Sequence, residues 1–164
     1  MPRIYRAMDA EGDRPVVANS RRALGVLSQA EVQTDQKPDV VLDAKGLLQP
    51  QTGGMSVAPS VADLPPWRIP KRLQPLIGKA AGSNELRVFA MGAGRFLAGA
   101  LSPGLALRTD SPTHGLVEPA SPMMLERFRN LLNHRARLWD SPQTTPCGEV
   151  TRLVRAAPPV NRAR

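Results

Sequence analysis

Residues 113–139 read THGLVEPASPMMLERFRNLLNHRARLW, and the order of signals in this stretch decides the fold class. His114 to Glu118 alternates as a short strand does, with His114 and Glu118 falling on one face two alternations apart. Ser121 then offers a capping hydroxyl, and Pro122 stands where a first helical residue needs no N–H. From Pro122 to Trp139 the apolar residues Met124, Leu125, Phe128, Leu131, Leu132, Leu138 and Trp139 recur near the helical period. Arg127, Asn130, His134 and Arg137 fall on the opposite side. A short strand running into an amphipathic helix, in a chain of six or seven short strands with one or two helices, predicts an α+β domain.

Upstream, Arg3 to Met8 reads as a first strand, with Ile4, Arg6 and Met8 on one face. Asp9 to Pro15 reads as a loop. Ser20 is placed to cap a short helix carrying Ala23, Leu24, Leu27 and Ala30. Val40-Val41-Leu42 predicts a strand, Asp43 to Gly46 a turn, and Leu47-Leu48 the return strand. A proline-dense loop containing Trp67 covers Leu64 to Pro75. Arg87 to Met91 and Phe96 to Leu101 read as a hairpin about Gly92-Ala-Gly94, and Leu105 to Arg108 as a further strand. Residues 1–140 are thus expected to form one domain, and 141–164 a flexible Pro/Arg-rich tail.

The formal charge of +8 and pI near 11 suggest a nucleic-acid partner at first sight. The excess is nearly all arginine, spread from Arg3 to Arg164 with no longer run than Arg21-Arg22. Aromatic residues are only 4% of the chain, too few for a row of base-stacking platforms. Nucleic acid stays open as a partner but is not favoured. Cys147 is the single cysteine, so no intrachain disulfide is expected, and two histidines argue against a zinc site. No apolar segment reads as a cleaved signal peptide or a membrane span.

Common catalytic motifs are mostly missing. Gly92-Ala-Gly94 lacks the third glycine of a dinucleotide turn. Gly54-Met-Ser56-Val-Ala58 approaches a nucleophile elbow, but Pro59 interrupts where a helix should follow. Asp110 and His114 are too close in the chain for the usual order of a serine hydrolase.

Three segments, in order, carry more information: Tyr5-Arg6-Ala7, then Thr52-Gly53-Gly54 with Ser56-Val57, then Thr113-His114 with Pro119-Ala-Ser-Pro-Met123. Together with Pro38-Asp39-Val40-Val41, Gly46-Leu47 and the helix closing on Trp139, they resemble the ADP-ribosyltransferase-like toxins typified by the second Tse effector of a type VI secretion system. The resemblance implies a mono-ADP-ribosyltransferase-like fold: two small packed β-sheets, one or two helices and an NAD cleft. It implies NAD as substrate, a macromolecular acceptor, and a cognate immunity protein or antitoxin. Action in a target-cell cytoplasm, after delivery needing no cleaved signal, follows from the same resemblance.

The residue types suit that chemistry. An arginine fork pairs two oxygens of a diphosphate, which makes Arg6 a candidate for binding and catalysis. Gly53 and Gly54 allow close backbone approach to a ligand. Ser56 and His114 are candidates for holding ribose hydroxyls, and Tyr5 or Phe89 for stacking on nicotinamide. Some relatives carry threonine where this chain has Met55, which leaves Ser56 as the hydroxyl of choice. Many such enzymes use a Glu-x-Glu pair that is absent here; Glu118 is the candidate glutamate, although a surface position is expected for it. Two other readings are a non-catalytic basic module binding nucleic acid or protein, and an RNA phosphotransferase built on the same fold.

Overall fold

Alternation in Ile4-Tyr-Arg-Ala-Met8 produces a strand buried on both faces, β1 (Ile4–Met8), because each face meets its own core. The computed structural model describes residues 1–74, 78, 82–83 and 85–141. Strand β1 pairs antiparallel with Arg87–Met91, Arg6 standing opposite Phe89. Ile4, Met8, Phe89 and Met91 of this ribbon join the main core, while Tyr5, Ala7, Val88 and Ala90 face a second, smaller one. Between them in sequence lie β2 (Ala10–Glu11) and β3 (Arg14–Pro15), a small hairpin, then β4 (Leu47–Leu48) and β5 (Met55–Val57). Arg87–Met91 is therefore β6, followed by β7 (Gly99–Ser102), β8 (Leu105–Ser111), β9 (His114–Pro119) and β10 (Met123–Met124).

Strands β5, β9, β8 and β7, in that spatial order, form an antiparallel sheet. The Tyr5–Ala58 backbone pair, with N···O distances of 2.8 and 2.9 Å, joins this sheet to the β1–β6 ribbon. The expected pair of small sheets is thus present as ribbon and sheet, supplemented by the two-residue ladders β2–β3 and β4–β10. The fold is α+β.

Helix α1 covers Leu125–His134, and a 3₁₀ turn at Ala136–Leu138 follows it. It starts later than the Ser-Pro signal predicts because Met123 and Met124 pair with Leu48 and Leu47, keeping the chain extended. Phe128, Leu132 and Trp139 are buried, whereas Leu131 is half-buried and Met124 exposed. Burying Phe128 and Leu132 stabilises the helix by roughly 2–3 kcal/mol each. Arg129 fastens α1 to the 26–31 segment by donating to the Val26 carbonyl (3.0 Å) and pairing with Glu31.

Three expected elements form differently. Residues 20–30 make turns rather than a helix. Ser20 Oγ accepts from the Arg22 amide at 3.1 Å and so closes a turn without capping a helix, and the Arg21 and Ala23 carbonyls bond to the Arg6 side chain. Val40 and Leu42 make single bridges, to Ser28 and Leu48, not a strand. The expected hairpin of Arg87–Met91 with Phe96–Leu101 does not form. One edge of β6 is taken by β1, and on the other Ala90 exchanges backbone bonds with Asp140. Gly99–Ser102 pairs with β8 instead. The proposed tail, residues 141–164, lies outside the described residues beyond Ser141.

Candidate active-site cleft

A cleft of about 1020 Å³ opens where the ribbon meets the sheet, with the 37–41 and 63–68 segments on its sides. Arg6 lies at its floor and is only 3% exposed. Its stem lies on the ribbon face that Ile4 and Met8 share. One terminal nitrogen donates to the Ser56 carbonyl at 2.7 Å, the other to those of Arg21 (2.9 Å) and Ala23 (3.4 Å). Among the described residues its Nε–H has no hydrogen-bond partner. Burial, then the neighbouring charge of Arg68, lower its pKa to about 9 against the opposing pull of Asp39. The guanidinium therefore stays charged at neutral pH.

Gly53 and Gly54 are required by the chain itself. Gly53 has φ of +153°, and a Cβ there would stand 2.2 Å from the Asp39 carbonyl oxygen. A Cβ on Gly54 would stand 2.3 Å from the carbonyl oxygen of Val117 in β9. The Gly54 amide donates to the Asp39 carbonyl at 2.8 Å. The pair thus clamps the 37–41 segment to the sheet, and it also lines the cleft.

Ser56 is the exposed centre of β5, between buried Met55 and Val57. Its mid-strand position rules out a nucleophile elbow, which needs a strand-to-helix turn. It stands opposite Leu116, so His114, two residues along β9, shares its face. His114 Nδ1 lies 2.7 and 2.8 Å from the two carboxylate oxygens of Asp110. Glu118, on the same face of β9, is not the surface residue expected. It is 6% exposed, paired with Arg108 Nε at 2.9 Å, and accepts from the Gln51 amide at 3.1 Å. That bond holds Gln51 in its left-handed conformation, with φ of +68°. Glu118 does not line the cleft.

Arg6, Gly53, Gly54, Ser56 and His114 therefore line one cleft, and Tyr5 does not. Strand alternation turns Tyr5 into the second core, where it is 4% exposed beneath the Arg3 guanidinium, 5.5 Å from the ring centroid. Burial raises the pKa of its phenol, with Arg3 opposing. Phe89 is fully buried in the main core. Neither ring reaches a ligand in the cleft.

The cleft also has residues that sequence reasoning did not single out. Trp67 is 68% exposed on its side, held by the 3₁₀ turn Pro66–Arg68. Arg21 and Arg68 approach Asp39: Arg21 Nε is 3.5 Å from its carboxylate, and Arg68 donates to the Arg21 carbonyl at 2.9 Å. Burial lowers the pKa of Arg68, with Asp39 opposing and Arg21 and Arg22 reinforcing the shift. With Lys37 and Arg108, these cations outnumber the lining carboxylates Asp39, Asp63 and Asp110. Only the Pro65-Pro66-Trp67 run hinted at a rigid aromatic, and nothing local marked Arg21 or Arg68. Among the described residues no three His, Cys, Asp or Glu side chains cluster as a metal site, and no helix is long and apolar enough to cross a membrane.

The model of the Tse2 ADP-ribosyltransferase toxin family matches residues 16–143. The matched span includes Gly53, Gly54, Ser56, Asp110 and His114 and begins after Arg6. No curated protein sequence matches the chain.

Proposed function

The chain belongs to the Tse2 ADP-ribosyltransferase toxin family, and we propose that it consumes NAD in the cleft between ribbon and sheet. The observation that carries this reading is the meeting of Ser56, His114 and the glycine pair with a surplus of arginine in one cleft. The groups suit the substrate. A diphosphate calls for cations, supplied by Arg21 and Arg68 and by the Nε–H of Arg6, which is unpartnered among the described residues. Ribose hydroxyls call for small polar partners on a rigid strand, as Ser56 and His114 are. A nicotinamide or adenine ring calls for an exposed aromatic face, which Trp67 offers in place of Tyr5 and Phe89.

Catalysis here rests on holding the dinucleotide so that nicotinamide departs as positive charge develops on the ribose. Arg6 acts mainly by construction, fixing β5 against the 21–23 turn with three carbonyl bonds. Ser56 and His114 act on the substrate. ADP-ribose passes to a macromolecular acceptor inside a target cell, and a cognate immunity protein or antitoxin protects the producer. Delivery as a type VI effector fits the same family.

Expression of the chain in a bacterial cytoplasm should arrest growth, and Ser56→Ala or His114→Ala should each relieve the arrest. Arg14→Ala, on the exposed β2–β3 hairpin, is the control for charge alone. Unabated arrest by the Ser56→Ala and His114→Ala proteins at equal expression would remove the cleft from the toxic activity.

A further inference from the structure

Strands β8 and β9 pair in regular register from Leu105 opposite Pro119 to Thr109 opposite Gly115, and the register then shifts. Ser111, not Asp110, stands opposite His114, so Asp110 is an extra residue in β8. A bulge of this kind re-aims a side chain out of the regular alternation. Here it brings the Asp110 carboxylate onto the His114 ring, with both oxygens within 2.8 Å of Nδ1. The turn beyond is closed separately, by the Thr113 amide donating to Ser111 Oγ at 3.3 Å. The Asp110–His114 contact is therefore not needed to end the hairpin. Both residues line the cleft, both are about two-fifths exposed, and among the described residues His114 Nε2 has no hydrogen-bond partner.

We propose that Asp110 is a positioning residue: it accepts the Nδ1–H of His114 and so leaves Nε2 as a lone-pair acceptor for a hydroxyl of the bound ligand. A carboxylate can only accept, so the neutral ring beside it carries its proton on Nδ1. The other nitrogen then cannot donate. His114 selects a ligand that brings an O–H to it and disfavours one bringing a phosphate or carbonyl oxygen to that point. Identifying the hydroxyl as one of ribose rests on the NAD reading above; the tautomer does not.

The chain has two histidines, so the ring nitrogens are resolvable by ¹⁵N NMR of the full-length labelled protein at a pH where both rings are neutral. His134, whose Nδ1 lies 2.6 Å from the Asn130 carbonyl, is the internal control. In the wild type His114 should show a protonated Nδ1 and a bare, pyridine-like Nε2. Asp110→Ala should move His114 toward the mixed tautomers of free imidazole and leave His134 unchanged; Asp110→Asn, which retains an acceptor oxygen, should lie between. Turnover of NAD to nicotinamide should fall at least about tenfold in Asp110→Ala, mainly in kcat. It should fall no further in Asp110→Ala/His114→Ala than in His114→Ala, because the carboxylate acts through the ring. A His114 spectrum unchanged by Asp110→Ala, or an additive double variant, would overturn the proposal. If the spectra shift as expected but no protein releases nicotinamide, the NAD reading fails and the positioning role stands.

Discussion

Arg6 and His114 line the same cleft, yet their surroundings are opposite. Arg6 is 3% exposed and spends its terminal nitrogens on three backbone carbonyls from two separate segments. His114 is about two-fifths exposed, and among the described residues its ring hydrogen-bonds only to Asp110 on its own hairpin. The floor of the site is thus built into the fold, and the wall stands free for chemistry. A residue can be indispensable to a site by holding it together or by touching what binds there, and loss of activity alone does not separate the two.

The largest expected effect tests the floor. Arg6→Ala leaves three carbonyls without their donor and a space in the main core, at a cost of about 3–5 kcal/mol. His114→Ala should change stability by no more than about 0.5 kcal/mol. Urea unfolding of the two variants checks both numbers. An Arg6→Ala protein as stable as the wild type but unable to bind NAD would break the comparison and make Arg6 a ligand-binding residue first.

Glu31 provides a smaller test of how the segments beside the cleft are anchored. Burial works against its charge, but the amide and hydroxyl of Ser28 and the guanidinium of Arg129 outweigh it and lower its pKa to about 2. A carboxyl depressed on folding contributes stability that is fully present above its unfolded value and is lost as pH falls from about 4.5 toward 2. Its side chain is 30% exposed, so screening leaves about 1 kcal/mol. Glu31→Gln should remove that increment at pH 7 and flatten the acid limb of the stability curve. Parallel wild-type and variant curves between pH 5 and 2 would show that Glu31 does not anchor the α1 contact.

Local pattern reaches some of this molecule. The β1 alternation, the Asp43–Gly46 turn and the buried Phe128, Leu132 and Trp139 of the helical stripe are each set by neighbours in sequence and are legible there, whereas Met124 and Leu138 of that stripe are exposed. What fails is pairing. Nothing in Arg87–Met91 shows that Met1–Pro2, β1 and Asp140 will occupy its surroundings and exclude Phe96–Leu101. Nor do residues 20–30 show that a distant arginine will take their carbonyls and prevent a helix. The same limit applies to the site. Gly53, Gly54, Ser56 and His114 stand out by order and type, whereas Arg21, Arg68 and Trp67 reach the cleft by tertiary folding alone. Tyr5 suits a ligand by residue type, but strand alternation with inward-facing Arg6 turns it away. The short separation of Asp110 from His114 argues against a hydrolase triad, and a bulge is what brings the two side chains together.

The most direct measurement is nicotinamide release from NAD by the purified full chain, taken with the thermal midpoint of the same samples. The wild type should release nicotinamide. His114→Ala and Ser56→Ala should lose on the order of a hundredfold in kcat with midpoints close to wild type. Release at the wild-type rate by folded His114→Ala and Ser56→Ala proteins would contradict the assignment of this cleft as the site of NAD chemistry.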